Sequence, residues 1–312
     1  MACNKVQFQK GISLTEFLTQ YGQRSSASTH FIAGGGRRAS AALIAATISA
    51  ANCPTGSYSS ATDAIDRLQL PLAPYLTPKL PLTVWFQAIY LITQDKKGIS
   101  SMKLARHLGI SYNAAWRMKQ KLMQVMVERD QQYKLSGFIE LDDAYLGGER
   151  TGCKPGRGAE SKTPFVAAVE TTKEGQPTRI KLSVVQGFRS TEIATWSKRY
   201  LNKGSTVISD GLACFNAVTE AGCDHDKIVC GDGRASVEEP EFYWVNTVLG
   251  NLKSALRSTY HAIRPKYAQR YLAEFQYRFN RRFNLYAFIP RLVYVSLRTP
   301  PMPERLLKLG LA

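Results

Sequence analysis

Oxygen-bearing side chains at three separated places give this chain its most pointed chemistry. Asp142 lies in an apolar segment, IELDDAYLGG, at 139–148. Asp210 ends a second such segment, STVISD, where the chain leaves for a helix. Asn246 opens the accessible face of a long helical segment, and Lys253 follows seven residues later, two turns along the same face. Strand ends are where α/β sheets place their sites. Two carboxylates brought together repel, and burial raises that cost. A hard divalent cation removes it, because Mg²⁺ takes oxygen ligands and keeps waters that a phosphate can replace. A pair of such ions suits in-line displacement at a phosphodiester. On this reading Asp142 and Asp210 hold Mg²⁺, the amide oxygen of Asn246 can complete the set, and Lys253 meets a DNA phosphate as a point charge. The uncharged amide of Asn246 binds metal less tightly than a Glu would. Each residue also has a plainer reading, since a strand-end Asp often forms a cap or turn and a helical Asn is often a surface amide. Strict alternation puts Glu140 and Asp142 on one side of their strand and Asp143 on the other.

The elements that must position these residues follow from hydrophobic period. FIELDDAYL, FVAAVETT and RIKLSVVQGF read as three strands, the last two joined by the turn KEGQP. A helix near TEIATWSKRYL, a strand STVISD, a helix GLACFNAVTEAG, a strand DKIVC and the long helix EFYWVNTVLGNLKSALRSTYH follow. Strands first, then alternating helices and strands, predict a mixed α/β sheet covered by helices over 137–283. His225 lies near the acidic strand ends and reads as incidental. Tyr271, Phe275 and Phe279, at helical spacing in YLAEFQYRFNRRF, read as core, with Arg278, Arg281 and Arg282 beside them.

Upstream, residues 80–132 read as three helices. LPLTVWFQAIYLIT places Trp85, Ala88, Ile89 and Ile92 on one face. Ser100 caps SSMKLARHLG, which ends at Gly109, and a longer basic helix runs from about Tyr112 to Arg129. A short helix, a glycine turn and a basic helix follow helix-turn-helix logic. Asn113, Arg117, Lys119 and Lys121 suit phosphates and base edges; a plain three-helix bundle with a wet basic face is the alternative. The loop CKPGRGAESK, 153–162, either forms a flexible hairpin or meets phosphate through Lys154, Arg157 and Lys162. Residues 1–23 hold a short amphipathic helix, 24–79 are irregular and rich in Ala, Ser and Pro, and 284–312 form a C-terminal tail.

Whole-chain charge agrees with a polyanionic partner. The 312 residues carry 41 Lys and Arg against 24 Asp and Glu, a net +17, with a pI near 9.7. The opening MACNKVQFQKG is polar and basic, unlike a secretory signal, and no apolar stretch is long enough to span a bilayer. Six cysteines without a C-x-x-C pair point to reduced thiols in the cytoplasm and to no Zn²⁺ site in this frame.

The segments IELDDAYLGGER, KTPFVAAVE, VISDGLACF, WVNTVLGNLKSAL, YHAIRP and YLAEFQYRFNRR resemble the ISXO2-like insertion-sequence transposases. The resemblance covers about Met1–Tyr21 and Leu80–Leu309. It implies a helix-turn-helix followed by a ribonuclease-H-like integrase domain, and metal-dependent DNA strand cleavage and transfer. It carries the two catalytic acids onto Asp142 and Asp210, the third position, Glu or Asn in the family, onto Asn246, and the following lysine onto Lys253. It further implies DNA partners (terminal inverted repeats and target), a homo-oligomer on that DNA, and a bacterial, nucleoid-associated setting.

Members of this family usually carry an N-terminal zinc ribbon with two C-x-x-C knuckles, where residues 24–79 stand here. A codon argument accounts for the difference. Reading each shifted codon from the last base of one residue and the first two of the next turns an Ala codon preceded by T into TGC, a Cys codon. Ala42, Ala45, Ala61 and Ala64 have the spacing of the two knuckles, and each follows a residue with a codon ending in T. In the same frame Gly36–Ala42 can read W-P-x-G-F-R-C, Ser57–Ile65 can read Q-L-F-Q-C-N-R-C-H and Pro71–Leu76 can read T-A-G-T-I-F. Two compensating frame changes, at about 23–33 and 77–79, are therefore expected, with loss of Zn²⁺ binding. Sequencing the gene tests this, through cysteine codons at those four positions in the shifted frame. The alternative function that follows is a catalytically inactive DNA-binding remnant, or a repressor of the same element.

Overall fold

The computed structural model describes residues 11–22, 80–147, 162–229, 239–260, 262–296, 299–300 and 302–310. The irregular segment 24–79, with its shifted-frame reading, and the loop residues Lys154 and Arg157 lie outside them. The chain divides into two compact units, residues 1–125 with 281–308, and residues 126–280 with 309–312.

The first unit is helical. Helix α1 (Leu14–Tyr21) starts at a capping box, in which the Glu16 amide donates to Ser13 Oγ and the Ser13 amide donates to Glu16 Oε2. Its buried Phe17 and Tyr21 stack on Tyr90 and Phe86 of α2 (Leu82–Gln94), at 4.5 and 4.9 Å between ring centroids. The expected face of α2, namely Trp85, Ala88, Ile89 and Ile92, is buried. Helix α3 (Ser101–Leu108) is capped by Ser100 and stopped by Gly109 at φ 63°, a left-handed position that a side chain disfavours. Ser111 then caps α4 (Tyr112–Asp130) through the Ala114 amide.

Two features differ from the sequence reading. Lys119 and Lys121 do not sit on a wet basic face: Lys119 is fully buried, with Nζ donating to the Ile99 carbonyl, and Lys121 is 6% exposed. The reason is helical period, since Ala115, Met118 and Leu122 make the core stripe and Lys119 falls within it. Asn113 and Arg117 are exposed as expected. The segment 284–312, expected as a tail, contains α8 (Phe288–Ser296) and α9 (Glu304–Leu309). Helix α8 buries Phe288, Ile289, Leu292 and Val293 and packs on α2, and Glu304 of α9 pairs with Arg117 at 2.8 Å.

The second unit is the mixed α/β domain. Strands β1 (Phe138–Leu146), β2 (Thr163–Thr171) and β3 (Pro177–Val184) form an antiparallel meander. Helix α5 (Ser190–Tyr200) returns the chain to β4 (Thr206–Asp210), parallel to β1, and β5 (Asp224–Ile228) pairs parallel to β4. The sheet order is β3-β2-β1-β4-β5, the ribonuclease-H-like arrangement. The segment between β4 and β5, expected as a helix, is a 3₁₀ helix over Ala213–Ala221. Phe215, Val218 and Ala221 recur every third residue, so a three-residue turn buries all three on one side.

Two apolar clusters cover the two sheet faces. Ile139, Leu141 and Val207 pack with Ile193 and Trp196 of α5 and with Phe215. On the other face Ala144, Phe165, Ala167 and Val169 pack with Val245, Val248, Leu249 and Leu252 of α6 (Tyr243–Thr259), and with Leu272 of α7 (Ala268–Asn280). The buried stripe of α7 is Leu272, Ala273, Gln276 and Tyr277, whereas Tyr271, Phe275 and Phe279 are only partly buried. Gln276 Oε1 accepts from the Leu182 amide at 2.7 Å, so α7 satisfies the free edge of β3.

Candidate metal centre

The register between β1 and β4 builds the site. Glu140 pairs with Ile208 and Leu141 with Ser209, so one step further sets Asp142 beside Asp210. Neighbours in register share a sheet face. Ile139 and Leu141 point to α5, which leaves Glu140, Asp142 and Ala144 for the α6 face. The described pairing of β1 with β4 ends at Leu141, and β1 continues to Leu146. There Asp142, Asp143 and Asp210 offer carboxylate oxygens that all lie within 4.8 Å of one another.

Asp143 is the member of this cluster that alternation missed. Its carboxylate joins the cluster although strict alternation would face it the opposite way. The signal was present in the sequence as the adjacent acids of LDDAY. The Asp143 amide donates to Asp142 Oδ1 at 2.8 Å, and the Leu212 amide donates to Asp210 Oδ1 at 3.2 Å. These bonds fix one oxygen of each acid.

Charge in the cluster is uncompensated by its own members. Burial, then the Asp143 and Asp210 carboxylates, push the Asp142 carboxyl up to about 7, against the Asp143 amide and the Lys253 ammonium. The exposed Lys253 thus exerts its charge on Asp142, which places this part of α6 by the end of β1. A donor set of three carboxylates this close together fits a hard divalent ion.

Glu140 performs a second task that the sequence reading did not assign. It is 6% exposed, and its Oε2 accepts from the Val245 amide at 2.7 Å. Val245 is in the first turn of α6, where backbone amides lack partners within the helix. Burial raises the Glu140 carboxyl to about 7, and the Val245 and Trp244 amides oppose that rise. A side chain of β1 therefore pins the start of α6. Asn246, half-buried, is the next residue after this anchor.

The remaining expected residues are more scattered. Lys162 precedes β2, whose Thr163 pairs with Leu146, so it stands at the same end of the sheet as the carboxylates. Asn113 and Arg117 belong to the helical unit. His225 Nε2 lies 2.8 Å from Ser209 Oγ, next to Asp210, and burial holds its imidazole below the usual value. Among the described residues no helix is long and apolar enough to cross a membrane.

No curated protein matches the chain. Among solved structures it is similar to a pre-cleavage Mos1 transpososome, with 9% identity, a TM-score of 0.27, and coverage of 89% of this chain and 96% of that one. It is also similar to the Mos1 mariner paired end complex with Mn, with 9% identity, a TM-score of 0.26, and coverage of 91% and 94%. Residues 134–280, which take in all five strands and both acidic strand ends, match the model of the ISXO2-like transposase domain.

Proposed function

We propose that this protein is a DNA transposase that cuts and joins strands at the ends of an insertion sequence. The observation that carries the reading is the convergence of Asp142, Asp143 and Asp210 at one open strand end. Asp142 and Asp210, with Asp143 and with Asn246 from α6, would hold Mg²⁺ or Mn²⁺. Bound there, a divalent cation would neutralise charge on the phosphate and stabilise the attacking and leaving oxygens. The chain's own residues orient and screen. Asp142 and Asp210 each keep one oxygen bound by a backbone amide, so their remaining lone pairs stay aimed. Lys253 meets a phosphate oxygen at the mouth of the site. Lys162, with Lys154 and Arg157 of the same loop, does so from the β1–β2 connection.

Two displacements make up the reaction. Water attacks a phosphodiester at the element's end, breaking the P–O3′ bond and leaving a 3′-hydroxyl and a 5′-phosphate. That hydroxyl then attacks a phosphodiester of target DNA, forming a new P–O3′ bond and releasing the target's own 3′-oxygen, which takes a proton. The helix-turn-helix reads the ends through the exposed start of α4, with Asn113 and Arg117 at base edges and phosphates. Joining two ends calls for an oligomer on DNA.

Strand nicking on DNA bordering the gene tests the reading. The wild-type chain nicks in Mg²⁺, and Asp142→Ala abolishes nicking while leaving salt-sensitive DNA binding in place. Binding without any Mg²⁺-dependent nicking by the wild-type chain would sink the enzyme and leave the inactive DNA-binding remnant.

A further inference from the structure

A cleft of about 530 Å³ opens between the first residues of β1, the turn joining β2 to β3, and the start of α6. Its walls are aromatic and open. Phe138 and Tyr243 are 41% and 57% exposed, and Trp244 stands beside them. Trp244 is held rigid, because its indole nitrogen donates to the Gly175 carbonyl at 2.5 Å and Tyr243 meets it edge-on at 4.9 Å. The buried Glu140 lines the interior, and Lys173 belongs to the same wall as the turn.

This set of groups suits one nucleotide better than an apolar peptide. Aromatic faces stack bases of any sequence. An ammonium takes the phosphate. Position agrees as well. Glu140 precedes Asp142 by two residues on the same face of β1, about 7 Å at the usual strand rise. That is roughly the reach of one extended nucleotide from the carboxylate cluster.

We propose that this cleft receives a single unstacked nucleotide of the bound DNA, adjacent to the phosphate held at the carboxylate cluster. The inference rests on the transposase reading above and adds a subsite to it. Taking a base out of the duplex sacrifices its stacking and pairing, and contact with Phe138 and Tyr243 offsets that loss. Held this way, the strand cannot slide along the cluster, so the cleft fixes which phosphate is cut.

A mismatch scan tests this directly. An enzyme that extrudes a base binds more tightly when that base is already unpaired, because the cost of opening is lower. Full-length protein is titrated by band shift, in Ca²⁺ to keep the DNA whole, onto duplexes bordering the gene with one mismatch moved stepwise through the cut region. One position should tighten binding about five- to tenfold. In Phe138→Ala/Tyr243→Ala that gain should fall below about twofold, with affinity for the matched duplex changed less than about threefold. Because Phe138 begins β1, Tyr243→Ala alone serves as a second variant and should lose most of the gain, with an unchanged melting temperature. Matched binding with no gain at any position overturns the cleft proposal and leaves the transposase reading standing. So does a gain that survives in both variants. A wild-type chain that binds none of these duplexes overturns both readings.

Discussion

Asp142 can ionise only against its surroundings, and this makes the site sensitive to pH. Its carboxyl is raised to about 7, from an ordinary value near 4, by burial and by the Asp143 and Asp210 carboxylates. Glu140 is raised to about 7 in the same direction, mainly by burial. A carboxyl whose folded value lies above its unfolded one costs nothing below the unfolded value. The cost then grows as pH rises from about 4 to about 7. A rise of about three units at Asp142 corresponds to about 4 kcal/mol as an upper bound. The metal-free protein should therefore melt at lower temperature at pH 7.5 than at pH 4.5. Mg²⁺ should restore much of that loss at pH 7.5 and none at pH 4.5. Asp142→Asn, which cannot ionise, should flatten the profile, and thermal melts across that range measure it. Asp143 makes a sharper case because strand alternation argued against it. Asp143→Asn should weaken Mn²⁺ binding roughly tenfold, judged from the effects of groups that tune metal sites. Titration calorimetry at pH 7.5 checks this, and unchanged affinity would leave Asp143 a bystander.

Elements were the most legible level of this chain where period and punctuation agreed. FIELDDAYL is β1 to the residue, and Ser100 and Gly109 bound α3 as their chemistry demands. Legibility failed where a side chain's fate depends on a neighbour distant in sequence. Lys119 and Lys121 look like surface cations until the core stripe of α4 is known. Asp143 looks remote from Asp142 until β4 is seen to leave the strand edge open. Glu140 looks like a third acid of the site until α6 arrives above it and takes its oxygen. That last contact yields a prediction about α6. Glu140→Ala leaves the Val245 amide without its acceptor and should cost about 1–3 kcal/mol. Glu140→Gln keeps an acceptor oxygen without burying charge, so it should cost less at pH 7.5 than the alanine variant. Hydrogen exchange should show faster opening of the first turn of α6 in Glu140→Ala, with the turns around Leu252 less affected.

Across the whole molecule, charge was legible and connectivity was not. A net +17 is a property of composition alone, and it sets the expectation that DNA binding weakens steeply with salt. No local pattern announces that residues 281–308 belong to the same compact unit as α1 and α2. The segment reads as an appendage because its apolar residues have partners some 200 positions upstream. Leu292 of α8 is fully buried and α8 packs on α2, so the C-terminal segment is part of the helical unit's core. Leu292→Ala should then cost about 2–5 kcal/mol, the range for a buried leucine that leaves a cavity. The damage should also be local in a telling way. If the C-terminal segment is integral to the helical unit, amide exchange should quicken in α2 and α8, while β1, β2 and β4 keep their protection and the carboxylate cluster keeps its affinity for Mn²⁺. Protection lost evenly over both units, or unchanged in α2, would argue against that placement. A variant that still binds Mn²⁺ but no longer retains DNA would separate the two tasks proposed for the chain: holding a metal on the sheet, and reading the duplex with helices closed by the chain's own C-terminal segment.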